Sequence, residues 1–116
     1  VSAAQNLPVF GLYARRGEFR RRLMEDDAAD VSYLDGENFS ERLDALRRGE
    51  FGFVGVCAEV DIVFGWGPDI GITHTIRSPG IWGIESDMGA DYIGQCFDEE
   101  CQSLESILAD IGVTVT

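Results

Sequence analysis

The sequence predicts an α+β fold: a three-stranded antiparallel β-meander packed on a C-terminal α-helix, with one or two N-terminal helices. Three observations predict it. Between residues 51 and 86 apolar residues recur at every second position. On either side they recur at helical spacing. At 116 residues and 45% hydrophobic content, the chain suits one domain, residues 1–116, with its own core.

Taken in order, Pro8 predicts an extended start, with Val9 and Phe10 docked on the core or in a short strand. Residues 12–27 predict a first helix, with Leu12, Phe19 and Leu23 near one face. Five Arg cover its other faces, within ion-pair spacing of Glu18, Glu25, Asp26 and Asp27, which favours a solvated face over a phosphate site. Residues 28–37 read as a connector with a short strand at Val31–Leu34, before an Asp35-Gly36 turn. A second helix is expected over 38–48. Asn38 and Glu41 have capping-box spacing, Phe39, Leu43 and Leu46 form a stripe, and Gly49 closes the helix.

From Phe51 the period becomes two. Val54 to Phe64 predict a first strand, Ile70 to Arg77 a second and Ile81 to Ser86 a third. Gly65 to Asp69 read as the first turn, and Ser78-Pro79-Gly80 as a hairpin loop. Pairing Phe64 with Ile70, and Arg77 with Ile81, places every apolar series on one side. Trp82 and His74 then face the core. Residues 98–111 predict the covering helix, with Phe97, Cys101, Leu104, Leu108 and Ile111 buried and Gly112 as its stop.

The same register defines an open face carrying Glu59, Asp61, Thr73 and Glu85, with Arg77 as its lone cation. Asp87 follows that face, and Trp66 stands on the hairpin tip, where an exposed aromatic can anchor an interface. These seven residues are the expected binding surface. The net charge is −12, and residues 51–116 hold eleven acids against Arg77 alone. Such a chain repels nucleic acid and anionic membrane and attracts a basic protein. All nine basic residues are Arg, which fits a GC-rich source.

Catalytic motifs are sparse. His74 is the lone histidine, and a core role is preferred to a general base. Cys57, Cys96 and Cys101 match neither a disulfide framework nor a usual zinc spacing. Asp61 and Glu85, two strands apart, stand too wide for one hard cation, and Asp87-x-Gly89-x-Asp91 is a fragment of a calcium loop. No nucleotide-binding or hydrolase motif occurs. No cofactor is expected.

Three runs carry a resemblance covering residues 45–112. They are R-R-G-E-F-G-F-V-G-V-C-A-E-V (Arg47–Val60), S-P-G-I-W-G-I-E-S-D (Ser78–Asp87), and Asp91-Tyr92 followed by an acidic helix ending I-L-A-D-I-G-V (Ile107–Val113). The middle run resembles the S-G-G-L-W-G-I-E-S-D motif of a family of small uncharacterised proteins from phages, prophages and actinobacterial or proteobacterial genomes. Pro79 stands where that family usually has Gly. The resemblance implies an accessory protein of a mobile element, without an assigned activity.

The functional expectation is therefore a small acidic phage-type binding protein, not an enzyme. It would engage a basic partner and inhibit a host defence or nucleic-acid enzyme by charge mimicry. The alternatives are a small enzyme or ligand sponge with a pocket near His74, Glu85, Asp87 and Cys96, and a structural protein that self-associates as a homodimer. Without a signal-peptide pattern or apolar span, the expected location is the cytoplasm of a bacterial host.

Overall fold

A computed structural model describes residues 10–116, so the expectation at Pro8 and Val9 lies outside the described residues. The fold is α+β, with a six-stranded mixed sheet and two α-helices. The strands are β1 (Gly11–Ala14), β2 (Arg20–Glu25), β3 (Phe53–Gly67), β4 (Ile70–Arg77), β5 (Ile81–Glu85) and β6 (Val113–Val115). The helices are α1 (Ser40–Arg47) and α2 (Ala90–Asp110).

Strand β3 is the spine. Its 15 residues extend about 50 Å at the usual rise. That length lets it serve two strands on each edge. One edge holds β2 at Val54–Glu59 and β1 at Val63–Gly65. The other holds β5 at Phe53–Val56 and β4 from Glu59 to Gly67. Strand β6 runs parallel to β1 at the sheet margin.

The meander is corrected by this topology. β5 does not fold back on β4; it continues along the same edge of β3. Ser78-Pro79-Gly80 is a jog, not a hairpin. Backbone hydrogen bonding explains it, because β4 leaves residues 53–58 of β3 without partners on that edge. At the jog, the Ser78 N–H donates to the Ala58 carbonyl (2.8 Å). The Ala58 N–H donates to Ser78 Oγ (2.9 Å). A serine side chain thus fills the ladder position as the chain passes on to β5.

The β3–β4 register is offset by two residues from the expected one: Phe64 pairs with Ile72 and Ile62 with His74. An even offset keeps each side chain on its expected face. The sheet continues through Gly65 and Trp66, leaving Pro68-Asp69 as the turn. Gly65 and Gly71 face each other there so closely that a Cβ on either would collide with the opposing backbone.

The helix expected over 12–27 is instead β1, a 3-10 turn at Arg16–Glu18 and β2. Gly17 lies in that turn, and the free edge of β3 outweighs the weak helical stripe. The short strand expected at Val31–Leu34 is a 3-10 turn, Ser32–Asp35, that buries Leu34 completely. Helix α1 begins at Ser40 after a further 3-10 turn, so Asn38 is not its cap. Gly49 takes the left-handed closing conformation, as its position predicts (φ 75°).

Helix α2 starts at Ala90, about two turns before the expected start near Asp98. It buries Ile93, Cys96, Glu100, Leu104 and Leu108. Leu104 and Leu108 pack with Ala58, Val60 and Ile62 of β3, and Ile93 and Cys96 with Val56 and Ile84. Each Leu, Ile and Val among them contributes on the order of 1.5–3 kcal/mol by leaving water. Ile111 was expected in the stripe but lies beyond the helix and is exposed. A third cluster, Leu34, Ala45 and Phe51, anchors α1 to the start of β3. No helix among the described residues is long and apolar enough to cross a membrane.

Candidate functional site

The face opposite α2 is not the acidic surface the sequence suggests. Strand β2 brings Arg20 opposite Glu59 and Arg22 opposite Cys57. Glu59 is buried and accepts hydrogen bonds from Arg20 Nε (2.9 Å) and Arg77 Nε (3.1 Å). Asp61 accepts from Arg20 Nη2 (2.8 Å) and from the Thr75 hydroxyl (2.7 Å). Burial pushes the Glu59 carboxyl up, but the two guanidiniums outweigh it and hold it below the ordinary range. Asp61 is lowered by the Arg20 hydrogen bond first and the Thr75 hydroxyl second. The result is a neutralised ladder that cements β2, β3 and β4. Thr73 pairs with Val63 farther along the sheet.

Glu85 and Asp87 form a second cluster beside the start of β3, where Glu85 pairs with Phe53. Arg42 of α1 holds Asp87 with both terminal nitrogens (2.8 and 2.9 Å) and reaches Glu85 Oε2 (3.0 Å). Its guanidinium lies 3.8 Å above the Phe51 ring centroid, a cation–π contact. The Tyr33 hydroxyl donates to the other Glu85 oxygen (2.6 Å). Burial, then this bond to Glu85, pushes the Tyr33 phenol up to about 12, so it stays a donor at neutral pH. The Arg42 guanidinium lowers the Asp87 carboxyl.

These contacts frame an open cleft of about 340 Å³. Residues 81–85 form one wall, and Tyr33, Phe39, Met88 and Tyr92 complete the lining. Tyr33, Phe39, Trp82, Met88 and Tyr92 are all exposed, an unusual concentration of large apolar side chains. Glu85 is the carboxylate among them. Beside the cleft lies an acidic hollow of about 400 Å³ bordered by Glu25, Asp26 and Asp27. The two are linked through the Asp26 carboxylate, which accepts the Gly83 N–H (2.8 Å).

Trp82 is the decisive correction. It was expected in the core but is 45% exposed, on the opposite face. The register of β3 with β5 shifts between Val54 and Val56, and Gly83 takes a positive φ of 74°. This bulge turns the indole over Gly55, where no side chain stands in its way. The indole Nε1 donates to the Pro79 carbonyl (2.9 Å), fixing its tilt.

The remaining expected site residues are dispersed. Trp66 lies at the far tip, edge-on to Phe10 (centroids 4.9 Å apart). His74 is exposed on β4, and Cys96 is buried under α2, so neither lines the cleft. Burial pushes the thiols of Cys57 and Cys101 up, away from the reactive thiolate. Sequence reasoning missed Tyr33 and Tyr92 in the cleft, and Arg42, which holds Glu85 and Asp87 beside it. Gly55, a glycine inside a strand, was the available signal for a close approach there. Nothing in the sequence marked Arg42.

Comparison with protein-family models finds no match to this chain, and no curated protein and no solved structure matches it.

Proposed function

We propose that this protein acts by binding a basic partner protein, taking one of its arginine or lysine side chains into the aromatic cleft. The observation that carries this reading is the grouping of Tyr33, Phe39, Trp82 and Tyr92 around Glu85, in a chain of net charge −12. Aromatic faces attract cations, by about 0.5–1 kcal/mol when exposed and ~2 kcal/mol when desolvated. The surrounding negative field raises the encounter rate. Glu59, Asp61 and Arg77 are assigned a structural role here, as is Asp87, which Arg42 holds outside the cleft lining. Glu85, held in place by Tyr33 and Arg42, is the carboxylate assigned to the cleft. The likeness of Ser78–Asp87 to the phage motif supports a mobile-element setting, in which occupying a basic nucleic-acid groove would inhibit a host enzyme.

The test is capture of partners from host lysate at low and high salt by wild type, Trp82→Ala and Thr73→Ala. A basic protein retained by wild type and by Thr73→Ala, but lost with Trp82→Ala, supports the cleft. Equal retention by all three proteins contradicts it.

A second reading rests on the cleft's size, which falls at the small end of the range for small-molecule sites. A free organic cation would then be the ligand. A melting temperature raised by quaternary ammonium compounds, without a protein partner, would favour it.

A further inference from the structure

Strand β4 carries an unusual edge. Among the described residues no strand pairs with its outer side. Its eight residues, I-G-I-T-H-T-I-R, include no Pro, no Lys and no acid. Natural edges are commonly blunted by such residues, because a bare edge recruits another strand. Ile70 is 63% and Ile72 67% exposed, unlike ordinary sheet isoleucines. Residues 70–84 hold no acid at all, so repulsion between two copies of this acidic chain is least along this edge.

We propose that two copies pair through β4, antiparallel, about a two-fold axis at Thr73. The strand is self-complementary in that register. Ile72 comes opposite His74 of the second copy, Ile70 opposite Ile76, and Gly71 opposite Thr75. Just past the strand, Asp69 comes beside Arg77, but within each copy Asp69 is already held by Arg15 (2.7 Å) and Arg77 by Glu59 (3.1 Å), so the apolar and backbone pairing carries the register. Pairs of matching parity keep the apolar rows of both copies on the helix-bearing face. Ile76 already packs against the core beneath α2, so the second copy's Ile70 extends that apolar surface. Centring on His74 instead would set the two imidazoles against each other. The sheet would become continuous across the dimer, with both aromatic clefts left open. An isologous interface of this kind closes at two copies.

The experiment is sedimentation velocity over a concentration series, with wild type, Ile72→Lys and Thr73→Cys. Wild type is expected to be a concentration-dependent dimer. Ile72→Lys should weaken it at least about tenfold, and its circular dichroism should match wild type because the side chain lies outside the core. Thr73→Cys should be joined into a covalent dimer by a short bis-maleimide, each thiol adding across one maleimide, under conditions that leave wild type unlinked. A monomer at every concentration overturns the proposal. So does a dimer indifferent to Ile72→Lys, or one in which Cys at position 73 cannot be bridged.

Discussion

Gly55 lies directly beneath the indole of Trp82, so close that a single Cβ at position 55 would occupy the space of the ring. The missing side chain on β3 is what lets the tryptophan lie flat beside the cleft. Gly55→Ala should therefore displace Trp82 while leaving the buried face of β3 intact. Overpacking of this kind typically costs about 1–3 kcal/mol. The expected result is a lower denaturation midpoint and a shifted tryptophan emission. An unchanged spectrum would mean that the ring is not held there.

Glu100 is a buried carboxylate on α2 that holds the jog between β4 and β5. It accepts the Ser78 hydroxyl (2.9 Å) and the Gly80 backbone N–H. Removing it leaves two donors without a partner. Glu100→Ala should cost about 2–3 kcal/mol by the loss of charge-assisted bonds, whereas Glu100→Gln, which keeps an acceptor oxygen, should cost less. Equal losses would argue against the hydrogen bonds as the cause. Chemical denaturation of the three proteins decides this.

Acid should weaken the fold through the ion pairs. Glu59, Asp61 and Asp87 all have lowered folded-state pKa values. Their contribution is fully present above the ordinary carboxylate range and is lost as pH falls through the lowered values. The denaturation midpoint should hold between about pH 7 and 5 and drop below about pH 4. Asp61 and Asp87 are 41% and 46% exposed, so solvent and salt screen their share. Glu59→Gln should flatten the acid limb; a limb unchanged in that variant would place the effect elsewhere.

Tyr33 makes the opposite prediction in base. Its folded pKa, pushed up to about 12, exceeds the unfolded value near 10. The stabilisation is present below about pH 10 and disappears as pH rises through the folded value. Ultraviolet titration should show a late-ionising phenol that Tyr33→Phe removes. The same variant should lose about 0.5–1.5 kcal/mol with the Glu85 hydrogen bond. A wild-type titration lacking the late phase would contradict the contact.

Local pattern carried much of the fold and little of the site. The period-two runs from Val54 to Arg77 identified the faces of β3 and β4, because an even register offset leaves side-chain direction unchanged. Gly49 and Gly112 marked helix ends by their need for positive φ. The failures share a cause, since they depend on what another part of the chain offers. Arg20 and Arg22 look helical until the free edge of β3 is available. Nothing local marks Glu100 as buried until Ser78 and Gly80 present donors to it. Trp82 looks like a core residue until a bulge turns it over Gly55. The apparent acidic surface at Glu59 and Asp61 disappears for the same reason, as β2 supplies the missing cation.

Entry of a cationic side chain into the cleft is read most directly from the two tryptophan indole N–H signals in a heteronuclear NMR spectrum. Trp82 lines the cleft, and Trp66 lies at the opposite end of β3. Titration with an arginine- and lysine-containing peptide should shift the Trp82 signal in a saturable way. The Trp66 signal should stay in place, and a peptide with norleucine at the basic positions should shift neither. A shift of Trp66 instead, or equal shifts with the neutral peptide, would contradict the account.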